Sequence, residues 1–96
     1  MEEQALQFVT FYEKQLEITK RFVAIRKSRK VSQKRLSILS GVSYASIRRF
    51  EKTGEISFSS LVKIALALQL YDDLDNLFKS NSDYQTIEEI LRDQKN

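Results

Sequence analysis

The scarcity of chain-breaking residues constrains this sequence more than any other feature. In 96 residues there is no proline, and glycine occurs only at positions 41 and 54. With no long polar tract either, there is no obvious linker and little material for β-turns, so an all-helical chain is expected. Both glycines stand where a helical period runs out. Ahead of Gly41, Ser32 precedes Leu36, Ile38 and Leu39, an apolar face at helical rather than strand spacing. Behind it, Ser43 can cap a second helix that carries Ile47 and Phe50 three apart on one face. Gly54 ends Glu51-Lys52-Thr53-Gly54, where a glycine just past a helix C-terminus belongs. Residues 32–52 therefore read as helix, tight turn, helix.

The same periodicity extends over the rest of the chain. Residues 2–16 form an opening amphipathic helix whose Ala5, Leu6, Phe8, Val9, Phe11, Tyr12 and Leu16 cover more than half its circumference, too much for one packing face. Either part of that surface meets another chain or all of it is core. From Ile18 to about Arg29, Ile18, Phe22, Val23 and Ile25 recur at helical spacing, with Arg26 at the edge of the stripe. A carboxylate should satisfy Arg26, and Glu51, the first acid after a long basic block, is the candidate. Ser57 caps a strongly apolar helix from Phe58 to Leu68, expected to be the central buried element. Asp72 and Asp73 open a short fifth helix running through Leu74, Leu77 and Phe78, their charges suited to its N-terminal dipole. Residues 80–83 break it, and a final acidic helix spans roughly residues 84–93.

Composition bounds the function. A hydrophobic content of 42% with 10% aromatics fills one modest core and leaves no room for a second domain. No apolar run approaches the ~18 residues of a membrane span, and the N-terminus has no leader-like pattern, so a cytoplasmic protein is expected. Without cysteine there are no disulfides or thiolate metal sites, and without histidine the commonest acid/base and metal ligand is missing. Asp72, Asp73 and Asp75 look like helix capping, lacking the alternate ligands and glycine of a calcium loop. No phosphate-binding glycine loop, metal cluster or nucleophile motif is present, so neither an enzyme nor a cofactor is expected.

The formal charge of +3 conceals an asymmetry. Between Ile18 and Phe50 stand ten cations and no acid, whereas residues 51–96 carry five cations against nine acids. The basic block coincides with the helix-turn-helix, where a polyanion would be held, although a solvated charged face is the bland alternative. On the second helix the side chains left pointing outward are Tyr44, Ala45, Arg48, Arg49 and Lys52, types that reach into a DNA groove. Gln33, in the first turn after the Ser32 cap, is placed to meet a phosphate, unless it is merely tolerated there.

Taken together, Arg26, the Ser-Gln pair at 32–33, LSILSGVSYASIRRFEKTG and ISFSSLVKIALAL resemble the Cro/CI (XRE) family of helix-turn-helix repressors over about residues 18–79. The resemblance implies a five-helix lambda-repressor-like DNA-binding domain at 18–79, to which this chain adds an N-terminal helix (1–17) and a short C-terminal acidic helix (80–96). It implies that Arg26 and Glu51 pair, that Gln33 binds backbone phosphate, that Tyr44, Ala45 and Arg49 face bases, and that Ser43, Arg48 and Thr53 lie near the backbone or groove edge. Two positions depart from the family pattern: Ala45, where a hydrogen-bonding side chain is frequent, and Lys30, where glycine is frequent. The run SIRRFEKTGEISFSSLVKIALALQLYDDLDNLF further looks like HipB-like regulators encoded beside HipA-type kinase toxins.

The resulting expectation is a homodimeric repressor on a roughly palindromic operator, autoregulating its operon as an antitoxin-type subunit and associated with the nucleoid when bound. Gln33, Lys34, Lys52 and Thr53 would hold phosphates, and Tyr44, Arg48 and Arg49 would select sequence. A protein-interaction adaptor with DNA binding secondary, or a stand-alone or phage regulator, is the alternative.

Overall fold

The computed structural model describes residues 2–80 and 89–92, with side chains from residue 10 onward. It is all-helical over these residues, with α1 at Glu2–Ser28, α2 at Gln33–Ser40, α3 at Tyr44–Thr53, α4 at Phe58–Ala67 and α5 at Tyr71–Asp75. The separate opening helix and first domain helix expected from the sequence are one continuous helix of 27 residues. Nothing between residues 2 and 27 is a glycine or a proline, so nothing there breaks the i→i−4 ladder. At ~1.5 Å per residue α1 is about 40 Å long, more than the ~30 Å diameter of a small domain. It packs on α3, while α2 packs on both α3 and α4, and α4 carries α5.

The core is built from Phe22 of α1, Leu36 of α2, Val42 in the turn, Ile47 and Phe50 of α3, and Ile64, Ala65, Leu68 and Leu70 from α4 and its exit. Phe22 and Phe50 meet edge to face, ring centroids 5.5 Å apart, which joins α1 to α3. Thr19 is also buried, its hydroxyl donating to the Gln15 carbonyl at 2.8 Å, and so needs no partner outside its own helix.

Further sequence expectations need correction, beginning with Ile18, which was expected on the apolar stripe of α1 and is 46% exposed. On α2 only Leu36 is core: Ile38 is 73% exposed and Leu39 48%. At about 100° per residue Ile38 is turned some 200° from Leu36, so the two cannot share a face. On α4, Ile64 and Ala65 are buried but Phe58 is 68% exposed, because the first turn of the helix overhangs the packed layer. The fifth helix stops at Asp75, leaving Leu77 and Phe78 in an exposed turn. Phe78 has φ +65°, a left-handed conformation that an α-helix cannot continue through. Of the final helix only residues 89–92 are described, in helical conformation. The rest of that expected span lies outside the described residues.

Helix ends follow the serines and glycines. Ser32, Ser43 and Ser57 each accept a hydrogen bond from the backbone N–H three residues on, and Gly41 and Gly54 close α2 and α3 with φ of +76° and +80°. Lys30 does the same work for α1 without being glycine. Its φ is +58°, its N–H donates to the Lys27 carbonyl and the Val31 N–H reaches back to Arg26, a Schellman closure. Glycine would suit this position better, since the conformation strains any residue with a Cβ.

Candidate nucleic-acid interface

The angle between α2 and α3 is fixed by Gly41-Val42-Ser43. Val42 is driven into the core, and its two backbone groups are satisfied by α2 serines: Ser37 Oγ donates to the Val42 carbonyl at 2.6 Å, and the Val42 N–H donates to Ser40 Oγ at 3.1 Å. A buried polar backbone needs such partners. Two serines that periodicity treats as surface filler therefore set the turn.

Behind the turn, Arg26 and Glu51 lock α1 to α3. Arg26 Nε donates to Glu51 Oε2 at 2.6 Å and Nη2 to Oε1 at 2.7 Å, a two-point fork, while Nη1 donates to the Val31 carbonyl at 2.8 Å. The Arg26 side chain is only 9% exposed and that of Glu51 8%. Gln33 joins them, its Nε2 donating to Glu51 Oε1 at 2.8 Å. This contact was not read from the sequence, and it matters for the phosphate role expected of Gln33. One of the two amide hydrogens is committed to Glu51, which aims the other away from the carboxylate.

With Ile47 and Phe50 inward, Tyr44, Ala45, Arg48, Arg49 and Lys52 are all exposed. On a helical projection they occupy an arc of about 140°. They are thus one face, carrying three cations. A shallow depression of about 270 Å³ on this face is lined by Ala45, Arg48, Arg49, Lys52 and Thr53. The Tyr44 ring has two cations within cation–π reach, Lys34 Nζ of α2 at 5.7 Å from its centroid and Arg48 Cζ of α3 at 5.6 Å. Tyr44 thereby gathers positive charge from both helices at the start of α3.

The two hydroxyls expected near the DNA backbone have internal partners. Ser43 Oγ accepts from the Ser46 N–H and donates to Ser46 Oγ at 2.8 Å, and Thr53 Oγ1 donates to the Arg49 carbonyl at 2.8 Å. Thr53 commits its only hydroxyl hydrogen to a backbone carbonyl, and Ser43 commits its own to Ser46 Oγ while capping the backbone as an acceptor. The sequence reading also missed Glu55, whose carboxylate lies 3.4 Å from Arg49 Nη2. Its signal was the glycine before it, which turns the chain back toward α3.

Among the described residues no group of acidic side chains is arranged to hold a metal ion, and no helix is long and apolar enough to cross a membrane. The arrangement can present a cationic helix, flanked by the start of α2, to a polyanion. Residues 23–73, more than half of the 96-residue chain, match the HTH_3 helix-turn-helix family. No curated protein and no solved structure matches the chain.

Proposed function

Because the chain belongs to the HTH_3 helix-turn-helix family, whose domain is a DNA-binding one, we propose that it is a sequence-specific transcriptional repressor that reads DNA with α3. The observation that carries this reading is the exposed arc Tyr44, Ala45, Arg48, Arg49 and Lys52 on an otherwise core-packed helix. An α-helix fits the major groove, and arginine is the side chain best suited to guanine. Arg49, Arg48 and Tyr44 select bases, with Ala45 limited to an apolar contact such as a thymine methyl. Gln33, Lys34 and Lys52 hold phosphates, with Ser43 and Thr53 at the groove edge.

The protein acts as a homodimer, placing two copies of α3 in successive major grooves about 34 Å apart on a palindromic operator. It represses by excluding polymerase. The resemblance of residues 46–78 to HipB-like regulators supports autoregulation of an operon that also encodes a HipA-like kinase toxin, with this chain as its cytoplasmic, nucleoid-bound antitoxin-type subunit. A second reading, an adaptor for such a protein partner with DNA binding secondary, is favoured by the exposed Ile38, Phe58 and Phe78 at 73%, 68% and 96%.

The test is a fluorescence-anisotropy titration, at two salt concentrations, on DNA from immediately upstream of the protein's own gene and on a shuffled duplex. Tighter binding to the native duplex that survives the higher salt is expected. Arg49→Ala should then weaken binding by about 1–3 kcal/mol per half-site and relax choice at one base pair, whereas Lys34→Ala should weaken all sequences alike and flatten the salt dependence. If Arg49→Ala leaves the rank order of operator variants unchanged, the base-reading assignment is wrong. Equal, salt-sensitive binding to both duplexes favours the adaptor.

A further inference from the structure

We infer that Glu55 is a specificity-determining positioning residue, which holds the Arg49 guanidinium out of reach of phosphates until a matching base is presented; the inference rests on the DNA-binding reading above. Arg49 and Glu55 are six residues apart, a separation at which side chains on one helix do not face each other. They meet only because the chain doubles back. Gly54, at φ +80°, reverses it. Thr53 then ties the reversal down: its hydroxyl donates to the Arg49 carbonyl at 2.8 Å and accepts from the Glu55 N–H at 3.1 Å. From the other side Gln15 of α1 donates to the Gly54 carbonyl at 2.7 Å. The backbone of Glu55 is therefore held against the last turn of α3, and its carboxylate lies 3.4 Å from Arg49 Nη2.

The pair is 67% and 59% exposed, so in water it is weak. Weakness suits a releasable hold. On random DNA a free Arg49 can swing to a phosphate as readily as to a base, and the Glu55 carboxylate opposes this twice, by occupying the guanidinium and by repelling the phosphate. On a matched sequence the bidentate base contact replaces the Glu55 contact. Specificity is a difference of affinities, and a charge that weakens the wrong complex raises it without any new contact to the right one.

The test compares wild type, Glu55→Gln, Arg49→Ala and the double variant on two probes: a duplex selected by the wild-type protein from a random-sequence library, and a shuffled version of it. Glu55→Gln is expected to tighten binding to the shuffled duplex about twofold to fivefold at low salt, steepen its salt slope by about one, and lower the selected-to-shuffled ratio by a similar factor. In the Arg49→Ala background the same substitution should tighten shuffled binding by less than half as much, as a double-mutant cycle requires of residues that act through each other. An unchanged ratio overturns the inference. So does an equal effect with and without Arg49, which makes Glu55 a plain surface charge. If the wild type selects no sequence from the library, the DNA-binding reading itself fails, an outcome distinct from both.

Discussion

Replacing Glu51 by Ala should be among the most damaging single substitutions in the domain. Its carboxylate accepts three hydrogen bonds, two from Arg26 at 2.6 and 2.7 Å and one from Gln33 at 2.8 Å. Without it the Arg26 guanidinium, in a residue 7% exposed, retains one acceptor, the Val31 carbonyl. A charge left buried without its counter-ion destabilises by roughly 3–5 kcal/mol, well beyond the loss of an exposed pair at about 0.2–1 kcal/mol. For a domain of this size that corresponds to a fall in Tm on the order of 12–40 °C. Urea unfolding followed by far-ultraviolet circular dichroism reads the change as a shift in midpoint at constant slope. The double replacement Arg26→Met with Glu51→Leu is the control. It removes both charges, so desolvation and attraction vanish together, and stability should return to within about 1–2 kcal/mol of wild type or exceed it. A loss below ~1 kcal/mol for Glu51→Ala, or a double variant no better than the single, would refute the argument that desolvation dominates here.

Lys30→Gly should stabilise the domain by about 1 kcal/mol, because φ is +58° at this helix end and glycine relieves the Cβ clash; thermal melts will show it, and a lower Tm would count against the strain. Gly41→Ala and Gly54→Ala share the left-handed penalty of roughly 1–2 kcal/mol. A Cβ at Gly41 meets nothing within 4 Å, whereas one at Gly54 meets Gln15 and Thr19 atoms at 3.2 Å, so the second substitution should be the worse. Equal losses in chemical denaturation would mean that α1 does not press on Gly54. Leu36→Ala, at a side chain with no exposure, should lose about 2–5 kcal/mol, while Ile38→Lys should stay within about 0.5 kcal/mol. A reversed order in urea midpoints would contradict the α2 orientation.

How much of the interface was legible depended on whether a residue's role is local. The serine caps, the two glycine closures and the outward arc of α3 follow from spacing alone, because each depends on backbone within four residues of itself. Arg26 and Glu51 were legible for a different reason, a lone cation beside an apolar stripe and the first acid after a basic block. Gln33 was readable only as a first-turn residue. Its bond to Glu51, 18 positions away, depends on the crossing of α2 and α3. Ile38 is exposed because of the angle at which it leaves α2, about 200° from Leu36, whereas Phe58 points along the core face of α4 but lies in a first turn beyond the packed layer, and neither is a property of hydrophobicity alone.

By itself the sequence determined that this chain is helical, where most of its helices begin and end, and that its cations gather on the helix-turn-helix. Those properties are set by backbone chemistry and by the order of charges, which exist before any packing. Tertiary structure decided the rest. It brought Gln15 of α1 onto the Gly54 carbonyl, selected Leu36 over its apolar neighbours as core, and returned Glu55 to Arg49. Each of these depends on the relative placement of two or more elements, a quantity that no local period contains.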